Sequence, residues 1–374
     1  MTTLCYPTLT HDLSFADYIT QCRNMIIEKR RDLSVNAAKR HLIIDANTPF
    51  ELYPSQSAKP LKYGALLIHG LLDCPFSLKD IGRHLQAQGV LCRSILLPGH
   101  GTIPDDLLSV TYQDWIEAMQ YGIASLQQEV EQVFLIGYST GAALALYHTL
   151  TTNRANTRLV LLSPAIRVKT PISLATAWRS FLHRFDKNNS SWLTHTKESD
   201  YTKYHSIPVN AVVQVEKLSQ QVQALNQQAQ VQAPLLMIMS REDETVSSQE
   251  ALGFFSELDN PHNQMLLYTP ANTNYADKRI MTHSSAYPKL GIKHFSHSAI
   301  PFAADNSHYG QEGDYPLASH LDEKNIYYGA YNPLEIAIHN VFFHLALAKR
   351  KYRDLTYNPD FEFMAKTIED FLLH

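Results

Sequence analysis

The sequence predicts an α/β fold, with a mostly parallel central sheet and helices on both of its faces. From residue 63 onward, continuous apolar runs of strand length alternate with segments of helical periodicity, the pattern of strands that helices cover on both sides. Glycine is placed unevenly: nine of the 14 glycines lie between Gly64 and Gly141, and none lies between Ala142 and Leu252. Because glycine permits tight bends and close backbone approach, the first region is where we expect functional turns.

The predicted elements follow from the spacing of apolar residues. Helices are marked by apolar residues three and four positions apart, and they are predicted at 14–33, 76–88, 114–130, 142–150, 210–230, 248–258, 332–349 and 361–373. Strands are marked by short apolar or β-branched runs, and they are predicted at 41–45, 50–53, 63–69, 91–97, 132–136, 158–163, 234–240, 265–268, 279–282 and 291–295.

The alternation of strands and helices stops at Pro164 and resumes at Pro234. We therefore predict three parts: an N-terminal helix with leading strands (1–60), a core formed by 61–164 and 234–374, and a segment (165–233) inserted between two strands of that core.

Composition and charge exclude several classes of protein. The chain has 36 acidic and 32 basic residues, a net charge of −4, and its basic residues are scattered, so we expect no nucleic-acid partner. The apolar stretches are too short to cross a bilayer, and the first ten residues lack the pattern of a secretory signal, which predicts a cytoplasmic protein without a transmembrane segment. The four cysteines show no zinc-binding spacing, and no phosphate-binding glycine motif occurs, so we expect neither a metal nor a cofactor.

One motif carries nucleophilic chemistry. Residues 137–141 spell Gly-Tyr-Ser-Thr-Gly between a predicted strand and a predicted helix. In the pattern GxSxG the serine lies on a sharp strand-to-helix turn, with its hydroxyl exposed above the sheet and the helix N-terminus beside it. Ser139 is therefore the predicted nucleophile.

A second motif ends the strand that begins at Tyr63. The apolar run Leu66–Ile68 is followed by His69, Gly70 and Leu71. In a serine hydrolase the amide after such a turn pairs with the amide after the nucleophile, so the N–H groups of Leu71 and Thr140 are the predicted oxyanion hole. His69 is on the oxyanion side, and we expect it to stabilise the turn rather than act as a base.

The stretches LLIHGLLDCPFSLKDIGRHL, LLPGHGTIPDDLLSVTYQDWIEA and VFLIGYSTG resemble the carboxylesterase and monoacylglycerol-lipase branch of the α/β-hydrolase superfamily. The resemblance is close over residues 61–165 and looser over 234–260. It implies an α/β-hydrolase fold with an eight-stranded core and a helical lid inserted after the sixth strand, where the glycine-free segment 165–233 falls.

The resemblance also implies a catalytic acid in a D-x-x-V arrangement after the strand 234–240. Asp243 fits this arrangement, with Val246 three residues later, and Glu242 and Glu244 are the alternatives. Its carboxylate would accept the imidazole Nδ1–H and stabilise the imidazolium.

The histidine departs from the family pattern. The loop after the strand 265–268, TPANTNYADK, contains none, and the downstream candidates are His283, His294, His297 and His308. His297 ends a predicted strand and precedes a small serine, as a base carried on a loop does, so we predict His297, with His283 and His308 as alternatives.

These assignments predict a serine hydrolase that cleaves carboxylic esters through an acyl-enzyme on Ser139. Trp178, Phe181 and Phe185, together with Leu182, have the spacing of one helical face, which either packs on the core or forms an apolar substrate-binding wall. An apolar acyl ester or a monoacylglycerol is the expected substrate. A lysophospholipase, a thioesterase, a C–C hydrolase and a ligand-binding member without activity are the alternatives.

Overall fold

The computed structural model describes residues 6–55, 61–152, 157–167, 191–271, 273–315, 326–344 and 351–374. The chain forms two compact units, the first comprising Met1–Leu159 and Thr170–Ala233 and the second Val160–Lys169 and Pro234–His374. The three-part division predicted from the sequence stays a prediction.

The described helices, in chain order, are α1 (Phe15–Lys29), α2 (Asp32–Val35), α3 (Arg40–Asn47), α4 (Lys79–Ala87), α5 (Tyr112–Gln127), α6 (Thr140–Thr152), α7 (Val209–Gln228), α8 (Ser248–Ser256), α9 (Pro333–His344) and α10 (Phe361–Leu373). The described strands are β1 (Phe50–Leu52), β2 (Leu61–Ile68), β3 (Leu91–Ile95), β4 (Val130–Tyr138), β5 (Leu159–Leu162), β6 (Trp192–Thr194), β7 (Ile207–Pro208), β8 (Leu235–Ser240), β9 (Gln264–Thr269), β10 (Ile280–Ser284), β11 (Ile326–Gly329) and β12 (Lys351–Asp354).

In the first unit, four strands hydrogen-bond in the order β1-β3-β2-β4. β2 runs parallel to both β3 and β4, with Leu67 opposite Ser94 on one side and Ile136 on the other, whereas β1 is antiparallel to β3. The apolar end of β2 is fully buried. Because parallel strands end at the same edge, the turns that follow Ile68 and Tyr138 lie side by side.

In the second unit the strand order is β5-β8-β9-β10. β8, β9 and β10 are parallel, and all six residues of β8 are buried. At its carboxyl end β8 leads directly into the turn that carries Asp243. β11 and β12 form a separate parallel pair.

The predicted α/β class and mostly parallel pairing are confirmed in both units. Two local predictions are wrong. Residues 41–45 lie in α3 rather than in a strand, because helical spacing buries Ile43 and Ile44 together with Asn47. Residues 291–295 form no strand: Gly291 has φ +71° in a turn, and only Ile292 makes isolated bridges, to Tyr287 and Tyr328.

The segment predicted as the lid lies between β5 and β8, and so follows the fifth described strand in chain order. Its described part contains β6, β7 and the 20-residue helix α7. Trp178, Phe181, Leu182 and Phe185 lie outside the described residues, so their role and a lid after a sixth strand stay predictions. Within the described ranges, no helix has both the length and the hydropathy needed to cross a membrane.

Candidate active site

Ser139 occupies the turn between β4 and α6. Its φ is +55°, a left-handed conformation that is strained for any residue with a side chain, and such strain typically costs about 1–3 kcal/mol. The Ser139 carbonyl accepts the N–H groups of Ala142 and Ala143 at 3.1 and 3.2 Å, which holds the turn against the first turn of α6. The predicted strand-to-helix turn is therefore present, with Ser139 only 8% exposed, and the role of Ser139 as a nucleophile stays a prediction.

Two glycines make this turn possible. A Cβ on Gly141 would lie 2.0 Å from the carbonyl oxygen of Ile68, and a Cβ on Gly137 would lie 2.3 Å from the carbonyl oxygen of Gly141. Both separations are far below van der Waals contact, so only glycine fits at either position. The close approach of Gly141 to β2 brings the start of α6 against the His-Gly turn.

The turn after β2 packs against Ser139. A Cβ on Gly70 would lie 3.2 Å from Cβ of Ser139, so the two turns are in close contact. Leu72, two residues later, is also left-handed, with φ +64°. This arrangement is compatible with an oxyanion hole formed by the N–H groups of Leu71 and Thr140, and that role stays a prediction.

His69 stabilises this turn. It is completely buried; its Nε2 accepts the Leu97 N–H at 3.0 Å, and its Nδ1–H donates to the Gly70 carbonyl at 2.8 Å. Burial lowers the pKa of His69 well below its ordinary value, so the ring is neutral near pH 7. Both ring nitrogens are thus engaged, as expected of a residue that stabilises the turn.

The loop 98–101, which we call the PGHG loop, lies next to His69. The rings of His69 and His100 meet edge-on with centroids 5.0 Å apart, and Trp115 Nε1 donates to the Pro98 carbonyl at 3.0 Å. Burial lowers the pKa of His100 to about 4. The loop is thus fixed by buried aromatic and neutral imidazole side chains.

In the second unit, Asp243 and His297 form a buried pair. Nδ1 of His297 lies 2.7 Å from Oδ2 of Asp243, whose side chain is fully buried. The other oxygen, Oδ1, accepts the backbone N–H groups of Thr245 and Val246 at 2.9 and 2.8 Å. These two bonds explain the D-x-x-V spacing, because the turn itself orients the carboxylate toward the imidazole.

The backbone around His297 is held on two sides. The His297 N–H donates to Oε2 of Glu244 at 2.9 Å, and the hydroxyl of the preceding Ser296 donates to the Leu355 carbonyl at 2.5 Å. Burial and the neighbouring Asp243 raise the pKa of Glu244 to about 7, although its interaction with His297 opposes the shift. Glu244 therefore supports the histidine loop instead of replacing Asp243 as its partner.

The other candidate histidines have different partners. Nδ1 of His283 lies 2.6 Å from Asp360 and its ring stacks on Phe363, with centroids 4.3 Å apart. His308 is buried and lies 2.5 Å from Asp314, and Nδ1 of His294 accepts the Ala330 N–H. Among these candidates, only His297 meets a carboxylate carried by the turn after β8.

A family model described as serine aminopeptidase, S33, matches residues 62–271, more than half of the chain. The chain belongs to this family of α/β-hydrolases. The match runs from β2 through β9, and therefore includes the elbow and the turn that carries Asp243.

Relatives of this α/β-hydrolase support the esterase and monoacylglycerol-lipase branch. A thermostable monoacylglycerol lipase of Bacillus sp. (strain H-257) is 32% identical over 84 residues, which are 22% of this chain and 34% of the lipase. The alignment thus spans about a third of that relative. A carboxylesterase of Bacillus subtilis (strain 168) is 20% identical over 228 residues, 60% of this chain and 91% of the carboxylesterase.

A solved structure from work on two metagenome-derived lipolytic enzymes has a TM-score of 0.50 with this hydrolase at 20% identity. It covers 59% of this chain and 86% of the other. This likeness confirms the predicted α/β-hydrolase fold.

Two features of the hydrolase cannot be predicted from its sequence. Glu244 is only an alternative acid in the sequence, and its bond to the His297 backbone has no sequence signal. The segment 200–206, which contacts the turn after β2, has no motif either. In the described ranges, no group of His, Cys, Asp or Glu side chains is arranged to hold a metal ion.

Proposed function

We propose that this protein is a serine hydrolase that cleaves carboxylic esters of apolar acyl groups through an acyl-enzyme on Ser139. The observation that carries the proposal is the 2.7 Å contact between His297 and the buried Asp243. It lies downstream of a strained GxSxG turn, in the chain order serine, acid, histidine that is typical of α/β-hydrolases.

In the first half-reaction, Oγ of Ser139 attacks the ester carbonyl carbon and its proton passes to Nε2 of His297. The carbonyl oxygen becomes an oxyanion that accepts the N–H groups of Leu71 and Thr140. Asp243 stabilises the imidazolium through Nδ1–H. When the C–O bond to the alcohol breaks, His297 returns the proton to the leaving oxygen, which leaves an acyl-serine.

In the second half-reaction, water attacks the acyl-serine and gives its proton to His297. The tetrahedral intermediate collapses, Ser139 takes the proton back, and the carboxylic acid leaves. Each proton taken is returned, so the enzyme ends in its starting state.

The proposed substrate is an uncharged acyl ester, such as a carboxylester or a monoacylglycerol. The two Bacillus relatives, a monoacylglycerol lipase and a carboxylesterase, support this class, as does the apolar helical spacing of Trp178, Phe181 and Phe185. A lysophospholipid or a thioester would be cleaved by the same three residues, and a ligand-binding protein would keep the fold without turnover.

The test compares wild type, Ser139→Ala and Ser109→Ala on p-nitrophenyl esters of two to twelve carbons, a monoacylglycerol, a lysophospholipid, an acyl thioester and an aminoacyl arylamide. Ser109 is an exposed serine of the same unit and serves as the matched control. A fluorophosphonate probe reports whether Ser139 reacts as a nucleophile.

We expect turnover of p-nitrophenyl esters and monoacylglycerol in wild type and Ser109→Ala, and a loss of on the order of 10⁴-fold or more in Ser139→Ala. If wild type cleaved the thioester or the lysophospholipid faster than the p-nitrophenyl esters and the monoacylglycerol, the proposed substrate class would be wrong. Cleavage of the arylamide alone would contradict the ester hydrolase. A folded protein without a fluorophosphonate adduct on Ser139 would exclude the acyl-enzyme.

A further inference from the structure

The segment 200–206, which we call the strap, contacts the turn after β2. The Tyr204 backbone N–H donates to the Leu72 carbonyl at 2.8 Å. Leu72 is left-handed, with φ +64°, a conformation that leucine rarely adopts unless its surroundings impose it. The bond from the strap fixes the peptide that follows Leu72, one residue beyond the predicted oxyanion donor Leu71.

The side chain of the same tyrosine reaches the PGHG loop. The Tyr204 hydroxyl accepts the Thr102 N–H at 2.7 Å and lies 3.4 Å from the Gly99 carbonyl. Its ring stacks parallel to that of His100, with an interplanar angle of 9° and centroids 6.4 Å apart. Tyr204 is buried, so these bonds are shielded from water.

Tyr204 therefore connects the turn after β2 to the PGHG loop, and His69 connects the same two segments through other bonds. Nε2 of His69 accepts the N–H of Leu97, just before the PGHG loop, and its Nδ1–H donates to the Gly70 carbonyl. The turn from Gly70 to Leu72 is held at its start by His69 and at its end by Tyr204. A turn fixed at both ends keeps the Leu71 amide in one orientation.

The strap is in turn held by the N-terminal helices. The buried Asn47 side chain, at the end of α3, donates to the Tyr201 carbonyl at 2.7 Å. Tyr201 packs against the cluster of Leu33, Ile43 and Ile44. The helices α1 to α3, which we call the N-terminal extension, thus contact the strap directly through Asn47 and this cluster.

A charged chain of contacts ends on the same loop. Lys29 Nζ lies 2.9 Å from both carboxylate oxygens of Asp106, and Asp106 accepts the Thr102 hydroxyl at 2.6 Å. The N–H of the same Thr102 donates to the Tyr204 hydroxyl. Helix α1 and the strap therefore converge on Thr102.

We propose that Tyr204 is a positioning residue for the oxyanion hole, and that the N-terminal extension acts through the strap to hold the Leu71 amide in place. This inference rests on the proposed function, because it assigns the turn to oxyanion stabilisation. Tyr204 touches neither substrate nor reacting atoms in this scheme; it acts through the Leu72 carbonyl and the Thr102 amide.

The kinetic test uses Tyr204→Ala, Tyr204→Phe and Asn47→Ala on a p-nitrophenyl ester. A misplaced catalytic group typically costs up to about 100-fold in rate, so we expect kcat of Tyr204→Ala to fall about 10- to 100-fold. We expect KM to stay within about threefold, since the lost interaction forms in the transition state. Both variants keep the backbone N–H that binds the Leu72 carbonyl, and Tyr204→Phe also keeps the ring, so it should lose less.

A second measurement is the inhibition constant of an alkyl trifluoromethyl ketone, which forms a hemiketal oxyanion with a catalytic serine. A general loss of stability would not change this constant. The inhibition constant should rise by the same factor as kcat/KM falls across the three variants. The matched control is Tyr121→Ala, which removes another buried tyrosine whose hydroxyl lies within hydrogen-bond distance of the Leu13 and Ser14 carbonyls. It should lower the melting temperature and leave the inhibition constant unchanged.

Hydrogen–deuterium exchange of the peptide covering residues 70–78 tests the strap independently of turnover. Exchange there should be faster in Tyr204→Ala and Asn47→Ala than in wild type or Tyr121→Ala. Unchanged exchange, or an inhibition constant that stays at the wild-type value in a folded Tyr204→Ala protein, would overturn the inference.

If Tyr204→Ala fails to fold, the same two measurements on Tyr204→Phe and Asn47→Ala test the inference. Wild type without Ser139-dependent turnover would instead refute the proposed function, and the exchange result would still decide whether the strap holds the turn.

Discussion

Nδ1 of His297 lies 2.7 Å from Oδ2 of Asp243, 54 residues earlier in the chain. The other carboxylate oxygen is saturated by two backbone N–H groups, so Oδ2 is oriented toward the imidazole before any substrate arrives. Such an arrangement keeps the proton on Nδ1 and leaves Nε2 as the basic nitrogen.

Replacement of Asp243 by asparagine should lower kcat by about 10⁴-fold, because an amide favours the wrong imidazole tautomer. The measurement is steady-state hydrolysis of a p-nitrophenyl ester. Glu242→Gln, at the residue immediately before Asp243 in the turn after β8, serves as the control and should lose less than about tenfold. A larger loss in Glu242→Gln than in Asp243→Asn would give the acid role to Glu242.

Removal of the nucleophile should have the largest effect on turnover. Ser139→Ala should lower kcat by on the order of 10⁴ to 10⁶, since no acyl-enzyme forms. Mass spectrometry after fluorophosphonate treatment checks the result independently, and Ser109→Ala should label like wild type. An adduct on a serine other than Ser139 would reassign the nucleophile.

The choice of base is tested by paired histidine variants. His297→Ala should lose at least about 10³-fold in kcat, whereas His283→Ala and His308→Ala should stay within about tenfold because those rings pair with other carboxylates. Circular dichroism confirms that each variant is folded. Loss of turnover in His283→Ala alone would show that the base is wrongly assigned.

The charge of Glu244 should appear in the pH dependence of kcat/KM. Glu244 has a pKa of about 7 and, once ionised, stabilises a neighbouring imidazolium. Glu244→Gln removes that negative charge, so the acidic limb of the profile should move to lower pH by about one unit. A profile identical to that of wild type would mean that Glu244 does not ionise near the base.

The raised pKa of Glu244 also predicts how the stability of the protein depends on pH. This pKa is raised from 4.5 to about 7 in the folded protein, so ionisation disfavours the folded state as pH rises through that interval. Urea unfolding should therefore show wild type losing stability relative to Glu244→Gln between about pH 4.5 and 8, with the two differing least at low pH.

Two glycine variants separate steric from entropic effects. Gly141→Ala should destabilise the protein by about 1–3 kcal/mol or more, because its Cβ would lie 2.0 Å from the Ile68 carbonyl oxygen. Gly253→Ala, inside α8 with nothing within 4 Å, should stabilise it by roughly 0.5–1 kcal/mol. Thermal unfolding measures both, and equal effects would contradict the tight packing of the elbow.

Much of the fold was predictable because its signals are local. The strands β2, β4 and β8 are continuous apolar runs, and the GxSxG turn is specified by two glycines that nothing else can replace. Residues 41–45 were mispredicted because their β-branched isoleucines favour a strand in isolation, whereas packing at helical spacing in α3 decides the outcome.

The hydrogen bonds that hold the loops of the candidate site cannot be predicted from sequence patterns. The bond between Glu244 and the His297 backbone joins residues 53 positions apart, and that between Tyr204 and Leu72 joins residues 132 positions apart on irregular segments. The irregular segments that carry these residues have no sequence periodicity from which the partner could be predicted. His297 was identifiable only as one of several loop histidines, since its carboxylate partner is a matter of tertiary structure.

The loop that carries His297 also depends on residues that follow it by more than fifty positions in the chain. Ser296 donates to Leu355, and the Asn358 N–H donates to the Phe302 carbonyl at 2.8 Å. A nascent chain that has completed the Ser139 elbow has still to add more than two hundred residues before both bonds form. The Ser139 turn is therefore synthesised well before the residues that hold the His297 loop, so the two parts of the candidate site are completed at different times during translation.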